Sequence, residues 1–160
     1  MRARGFTVLE AMIVLAIVAL VASLALPSFS AAAERARLKA AAEGLAADLA
    51  EARFEAAKRG SALHVEFQSG PEWCWNVATR AGCGCAQAAC RLKATRAGEH
   101  GGIALAEAQS ARFEPEGTAP ARAGALFEST RGEQLKVELS PLGRARICAP
   151  GGRVAGYATC

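Results

Sequence analysis

The pair of arginines in the stretch Gly143-Arg144-Ala145-Arg146 is the clearest candidate for chemistry in this sequence. Residues at positions i and i+2 of a β-strand project from the same face, so Arg144 and Arg146 would point together while Ala145 and Ile147 face inward. Two adjacent guanidinium groups can contact successive phosphates of a nucleic acid. The spacing therefore predicts a phosphate-binding strand face, and the alternative is an ordinary solvated face.

The charge distribution adds to this prediction. Arg153 lies in the loop Pro150-Gly151-Gly152-Arg153, which Cys148 and Cys160 would close, and it is placed to supply a third cation. The whole chain is nearly neutral once Arg2 and Arg4 are set aside, because 17 of the 19 basic residues then remain and there are 15 acidic residues. The segments 73–98 and 139–160, however, contain basic residues and no acid. This asymmetry predicts a basic face and an anionic partner.

The sequence does not favour an enzyme. His64 lies in a predicted strand and His100 beside a pair of glycines, without a serine or cysteine arrangement that would make either of them a general base. Gly151-Gly152 is typical of a turn rather than of a phosphate-cradling loop. We therefore predict a binding or structural protein without a cofactor.

The six cysteines predict disulfides in an exported domain. Their clustering favours a C-terminal pair, Cys148 with Cys160, while the other four pair among themselves. Sequence alone does not choose among the remaining connectivities. The alternative is a zinc site, but the spacing is not that of paired C-x2-C knuckles and an oxidising compartment favours disulfides, so we predict no metal. The four cysteines in question are Cys74, Cys83, Cys85 and Cys90.

An apolar run from Phe6 to Leu26 opens the chain. As a helix it would be roughly 31 Å long, about the thickness of a bilayer core. Glu10 lies within it, and a charge in lipid costs on the order of a few kcal/mol unless it is paired. A secretory signal with cleavage near Ser30–Ala33 is one interpretation, and a plain membrane anchor is another. Neither of these interpretations explains Glu10.

The sequence around this carboxylate resembles a type IV prepilin leader. A short basic leader ends in Gly5, and Phe6-Thr7-Val8-Leu9-Glu10 and the apolar helix follow. The resemblance implies cleavage between Gly5 and Phe6 and N-methylation of Phe6 by a prepilin peptidase. It also implies that Glu10 neutralises the Phe6 amine of a neighbouring subunit and so sets the register of a filament; the alternative is that Glu10 merely sits at the membrane interface. The expected location is the bacterial inner membrane, as a single pass with the head in the periplasm, and then an assembled pilus or pseudopilus.

We divide the chain into four parts: a leader at 1–5, a transmembrane or filament-core helix at 6–27, an amphipathic helix at 28–60 and a β-rich head at 61–160. Pro27 should kink or interrupt the helix, and Gly60 should end it. Between them, alternating spacings of four and three define an apolar seam that predicts packing on a sheet. The seam consists of Leu38, Ala42, Leu45, Leu49, Ala52 and Ala56.

After Gly60 the apolar period changes to two, and turn residues separate many short segments. The expected strands are 62–67, 73–77, 91–95, 103–106, 111–114, 126–129, 135–139 and 145–148. The fold class is therefore α+β, with a long N-terminal helix packed on an antiparallel sheet or sandwich.

The helix end Ala52–Gly60, the Trp73 strand and the stretch 143–148 are similar to the GspH/FimT group of minor pilins and pseudopilins, whereas 82–123 shows no such likeness. The Gly-Arg-x-Arg stretch looks like that of FimT-type pilins. This implies DNA binding during uptake for natural transformation. Because only Tyr157 is near as an aromatic stacking partner, we expect sequence-independent binding to the backbone of double-stranded DNA. The alternative is a structural minor pilin or type II secretion pseudopilin, in which these arginines dock onto another pilin and the protein primes assembly.

Overall fold

A computed structural model describes residues 7–160, with residues 24–27 described as backbone only. Gly5 and Phe6, the predicted processing site, lie outside the described residues. One long helix, α1, spans Val8–Arg59. Internal contacts divide the chain into two units, Met1–Ala33 and Glu34–Cys160.

In the N-terminal unit, α1 begins with a polar cap. The Thr7 hydroxyl accepts a hydrogen bond from the Glu10 backbone N–H at 3.2 Å, which satisfies one of the free donors of the first turn. Most of the aliphatic side chains of this unit are exposed, including Leu9, Met12 and Leu20. Among the described helices, α1 is long and apolar enough to cross a membrane by length and composition.

The helix continues through Pro27, since α1 runs without interruption from Val8 to Arg59. The predicted interruption at this proline is therefore absent from the described backbone. A proline removes one hydrogen-bond donor from the ladder, and a helix of 52 residues retains the bonds on either side of it.

The part of α1 in the C-terminal unit buries the predicted seam completely. Its six apolar side chains, from Leu38 to Ala56, are at most 1% exposed. Because three of the six are alanine, the sheet approaches closely, and Trp75 lies against the helix at Gly44. The amphipathic prediction for this half of the helix is confirmed.

Gly60 ends α1 as predicted. It adopts a positive φ of 61°, and its N–H bonds to the carbonyl of Ala57 while the N–H of Ser61 bonds to that of Ala56. These two bonds form the Schellman arrangement, in which the left-handed residue is usually glycine.

Eight strands follow and form two antiparallel sheets. The first sheet has the order β3-β2-β1-β5 and the second has the order β4-β6-β7-β8. All of the predicted strands are present, with ends that differ by a few residues. Their bounds are β1 Leu63–Gln68, β2 Cys74–Ala78, β3 Arg91–Arg96, β4 Ile103–Gln109, β5 Ala111–Phe113, β6 Ala123–Ser129, β7 Gln134–Leu139 and β8 Ala145–Cys148.

Two tryptophans join the helix to both sheets. Trp73 and Trp75 stack with centroids 5.6 Å apart, and each lies 5.7 Å from the Phe127 ring of β6. Both indole N–H groups are satisfied: Trp73 donates to the Ile103 carbonyl at 2.7 Å, and Trp75 donates to Asp48 of α1 at 2.8 Å. The core therefore lies between α1 and the inner faces of the sheets.

The cysteine-rich segment covers the other face of β2. Asn76 is buried and donates to the carbonyl of Cys83 at 2.9 Å. Disulfides join Cys74 to Cys85 and Cys83 to Cys90. This cover explains why every residue of β2 is buried. The C-terminal pair favoured by the sequence, Cys148–Cys160, is also a disulfide in the structure.

Candidate nucleic-acid interface

The outer face of the second sheet forms an open cleft of about 890 Å³. Burial alternates strictly along β6 and β7, so every second side chain faces outward. The cleft is lined by residues of β4, β6 and β7 and by the β7–β8 hairpin. Its basic residues are Arg122, Lys136, Arg144 and Arg146, and its acidic residues are Glu107 and Glu138.

Arg144 and Arg146 lie together in this cleft. The hairpin between β7 and β8 is closed by the Ser140 N–H, which donates to the Arg144 carbonyl at 3.0 Å. The Ser140 hydroxyl in turn accepts from the Arg144 backbone N–H at 3.2 Å. Both guanidinium-bearing side chains are exposed, while Ala145 and Ile147 pack against the core. The alternation predicted for this strand is therefore present.

Two further cations of the cleft were missed by the sequence reasoning. Lys136 lies opposite Leu126 and two residues before Glu138 on β7, and Arg122 immediately precedes β6. The alternation of β7 carries a signal for Lys136, because its neighbours Leu135 and Val137 are the inward residues. Arg122 had no such signal, since its place depends on the pairing of β6 with β7.

Glu138 lies at the centre of these cations. It pairs with Arg146 in the β7–β8 register, and its carboxylate is 2.9 Å from Lys136 Nζ and 3.8 Å from Arg146 Nη2. The hydrogen bond from Lys136 lowers the pKa of Glu138, and the charges of Lys136, Arg146 and Arg122 lower it further against the opposing effect of burial. The carboxylate is therefore ionised at neutral pH and neutralises part of the cleft.

Arg153 does not line this cleft. It is exposed at the end of a 3-10 turn, Pro150–Gly152, in the C-terminal loop. Lys39 holds this loop against α1 by donating to the Ala155 carbonyl at 2.9 Å, and Tyr157 donates a short hydrogen bond to Glu43. Burial, together with the Glu43 carboxylate, raises the pKa of Tyr157 to about 12. Arg153 therefore lies outside the cleft that Arg144 and Arg146 line.

In the other acid-free segment, 73–98, three of the four cations have internal partners, whereas Arg80 is exposed. Lys93 lies 2.6 Å from Asp48 and 3.0 Å from Glu51, both on α1. The hydrogen bonds that Lys93 donates to Asp48 and Glu51 raise the pKa of Lys93. Arg91 and Arg96 both donate to the carbonyl of Cys85. This segment therefore presents less free positive charge than its sequence indicates.

Of the two histidines, His100 has a packing role. Its ring stacks near Trp73 and Trp75, at 6.0 and 6.1 Å between centroids. Burial lowers the pKa of His100, so the ring is neutral at pH 7. His64 is half-buried in β1. At the other end of the chain, Glu10 is exposed in the first turn of α1.

Comparison with known proteins gives two family matches. The model of the type II transport protein GspH matches residues 41–143, which is more than half of the chain. The model of the prokaryotic N-terminal methylation motif matches residues 1–26. A search of curated protein sequences finds no significant match.

Among solved structures, the chain is similar to the type IV minor pilin FimU of Pseudomonas aeruginosa in two crystal forms. For the form in space group P21, the TM-score is 0.57 at 22% identity, over 74% of this chain and 96% of that one. For the form in P65, the TM-score is 0.54 at 21% identity, over 72% and 98%. At this identity the likeness supports the fold: a long helix packed on two antiparallel sheets.

Proposed function

The chain belongs to the GspH family of minor pilins and pseudopilins, and from that premise we propose that it binds extracellular DNA through the cleft of its second sheet during natural transformation. The observation that carries the proposal is the convergence of four cations on one open face from separate elements. The cations come from the segment before β6, from β7 and from the β7–β8 hairpin. No single stretch of the sequence contains all four cations, so their convergence depends on how the strands pair.

The chemistry of the cleft suits a phosphate backbone rather than base edges. Guanidinium and ammonium groups bind phosphate oxygens without reading sequence. The described residues that line the cleft include no aromatic side chain on which a base would stack. We therefore expect sequence-independent binding to double-stranded DNA, with affinity that falls steeply as salt increases.

A gel-shift titration of the full chain in nonionic detergent tests the proposal. Replacing Arg144→Gln together with Arg146→Gln should weaken binding about tenfold or more and reduce the slope of log affinity against log salt by about 2, because two phosphate contacts are lost. The matched control is Arg37→Gln with Arg59→Gln, which removes the same charge from α1. Equal binding by the arginine-pair variant and the parent would overturn the proposal.

The second part of the proposal concerns the N-terminal region, which we expect to anchor the chain in the membrane and to mediate filament assembly. Its methylation motif implies processing by a prepilin peptidase between Gly5 and Phe6. We propose that the chain crosses the inner membrane once, with its head in the periplasm, before it enters a filament. There Glu10 would neutralise the Phe6 amine of a neighbour, because paired charges in an apolar setting cost far less than lone ones.

Mass spectrometry of the membrane-extracted protein tests this part. The expected N-terminus is methylated Phe6. An N-terminus at Glu34 would mean that an ordinary signal peptide had been removed instead. The assignment of Glu10 is tested by Glu10→Gln, which should lower incorporation into filaments without lowering the amount of processed protein.

The second candidate function is a structural minor pilin or a type II secretion pseudopilin that primes assembly through protein contacts. The match to the type II transport protein GspH and the acids within the cleft, Glu107 and Glu138, favour it. In that case the arginine-pair variant would lose filament assembly, while the parent would bind DNA no more tightly than the variant. Measuring both properties on the same two proteins separates the candidates.

A further inference from the structure

Arg53 is a half-buried cation of α1 that points into the head. Its Nε donates a hydrogen bond of 2.9 Å to the carbonyl of Gly117, in the connection between β5 and β6. A hydrogen bond from a charged donor is stronger than a neutral one. Arg53 does not line the cleft, so its function is not explained by contact with a ligand there.

The connection that Arg53 holds is in turn joined to the hairpin that bears the arginine pair. The Gly117 N–H bonds to the Glu114 carbonyl at 2.8 Å, which closes a turn. Two residues later, the Ala119 N–H donates to the Pro141 carbonyl of the β7–β8 hairpin at 3.0 Å. The backbone thus links the Arg53 acceptor directly to the turn before Arg144.

The junction has no spare space. Gly143 has a positive φ of 70°, and a Cβ there would lie 2.3 Å from the Gly117 carbonyl oxygen and 3.1 Å from Arg53 Cδ and Nε. At Gly117 a Cβ would lie 3.2 Å from Arg53 Nε. Real Cβ atoms do not tolerate the shortest of these contacts, so the two glycines allow the hairpin, the β5–β6 connection and the Arg53 side chain to stack.

We infer that Arg53 is a positioning residue for the proposed DNA site. It fixes the Gly117 carbonyl, this carbonyl packs on Gly143, and Gly143 fixes the backbone from which Arg144 projects into the cleft. The planar Nε–H defines the direction of the bond and the Cδ atom fills the space over Gly143. A lysine offers a donor without that shape. The inference rests on the proposed function, but its structural part can be tested without DNA.

The structural test uses amide hydrogen exchange of the full chain in detergent, for Arg53→Met, Arg53→Lys and the control Arg59→Met. Arg59 lies at the same end of α1 and pairs with Glu55 at 2.7 Å, so its loss removes the same charge without touching the junction. Exchange in peptides containing Ala119 and Arg144 should accelerate at least about threefold in Arg53→Met, less in Arg53→Lys and not in Arg59→Met. Unchanged exchange in Arg53→Met would overturn the inference, whether or not the parent binds DNA.

The functional test is a double-mutant cycle. Arg53→Met should weaken DNA binding about threefold to tenfold in the parent, because it misplaces one charge-assisted contact. In the Arg144→Gln background it should cost less than about twofold, because residues that act through one another are not additive. A fully additive cost would mean that Arg53 acts on DNA independently and would also overturn the inference. If the parent binds no DNA while exchange still accelerates, the proposed function fails and the positioning of the hairpin stands.

Discussion

The two acid-free basic segments of this chain, 73–98 and 139–160, look alike in sequence but differ in their surroundings. In the first, Lys93 is paired with two carboxylates of α1, and Arg91 and Arg96 donate to a backbone carbonyl. In the second, Arg144 and Arg146 are exposed in an open cleft, with Glu138 3.8 Å from Arg146. A cation is therefore available to a ligand only where the fold gives it no stronger partner.

The partners of the first segment come from far along the chain. Asp48, which is buried, and Glu51, which is exposed, both lie on α1, and Lys93 reaches them from the edge strand β3. Arg144 and Arg146 of the second segment lie on the outer face of the other sheet, where Arg146 pairs with Glu138 of the neighbouring strand β7. The first segment therefore contributes to stability, and we expect the second to contribute to binding.

The largest expected effect is on stability, from Asp48→Ala. This carboxylate is 4% exposed and accepts from both the Trp75 indole and Lys93. Its removal leaves the buried indole N–H without an acceptor and should lower the free energy of unfolding by about 3 kcal/mol. This loss is measured by guanidinium denaturation with the disulfides intact, monitored by tryptophan fluorescence, because both tryptophans of the chain lie in this core.

The control for this change is Glu51→Ala. Glu51 also pairs with Lys93, but its side chain is 64% exposed, and exposed pairs contribute about 0–1 kcal/mol. Equal losses of unfolding free energy for Asp48→Ala and Glu51→Ala would show that Lys93 stabilises the head through surface contacts rather than through the buried carboxylate. DNA affinity should be unchanged in both variants.

Much of the fold could be predicted from sequence because it depends on local pattern. The period of α1, the Gly60 stop and the eight strands all follow from residue spacing within a few turns or pairs. The division of those strands into two sheets does not, because β4 and β5 are separated by Ser110 alone and yet belong to different sheets. Pairing over long range decides that division, as it decides which of the four clustered cysteines meet.

The candidate site was predictable only in part for the same reason. Arg144 and Arg146 lie on one strand, so their common direction follows from the period of two. Lys136 joins them through the register of β7 with β8, in which Glu138 pairs with Arg146. Arg122 joins them through the register of β6 with β7, in which Gly124 pairs with Glu138. No local pattern carries either register. The central position of Glu138, which limits the free charge, was hidden in the same way.

A second effect on stability should depend on pH. Glu34 is buried, accepts from the Thr130 hydroxyl at 2.5 Å and pairs with Arg131 at 3.2 Å. The Thr130 hydrogen bond is the largest cause that lowers the pKa of Glu34 below 4.5, and burial opposes it. Because the folded pKa is lower than the unfolded one, the stabilisation is complete above about pH 4.5 and is lost as pH falls through the folded value.

Denaturation of the parent and of Glu34→Gln from pH 3 to pH 7 measures this effect. The two proteins should differ most near neutral pH and converge in acid. A difference that stays constant over this range would show that the carboxylate stabilises by its shape rather than by its charge. Glu138, which pairs with Arg146 of the second segment, offers the contrast, because its side chain is more exposed than that of Glu34 and its loss should change binding more than stability.

Glu138→Gln should tighten DNA binding by about threefold at low salt, because it frees Lys136 and Arg146 for phosphate and removes a repelling charge. The matched control is Glu128→Gln, on the same sheet but outside the cleft. Lowering the pH through the depressed pKa of Glu138 should bring the parent toward the affinity of the variant. Binding that weakens in Glu138→Gln would show that this carboxylate orders the cations for DNA rather than competing with it.

The smallest expected effect is the sharpest test of the comparison between the two segments. Lys93→Gln with Arg96→Gln removes the same two charges from the first segment as the arginine-pair variant removes from the second. Because those cations already have internal partners, DNA affinity should change by less than about twofold, and the slope against log salt should stay within about 0.5 of the parent value. A loss equal to that of the arginine-pair variant would mean that DNA responds to the total charge of the head. In that case the cleft would not be the specific binding site for DNA.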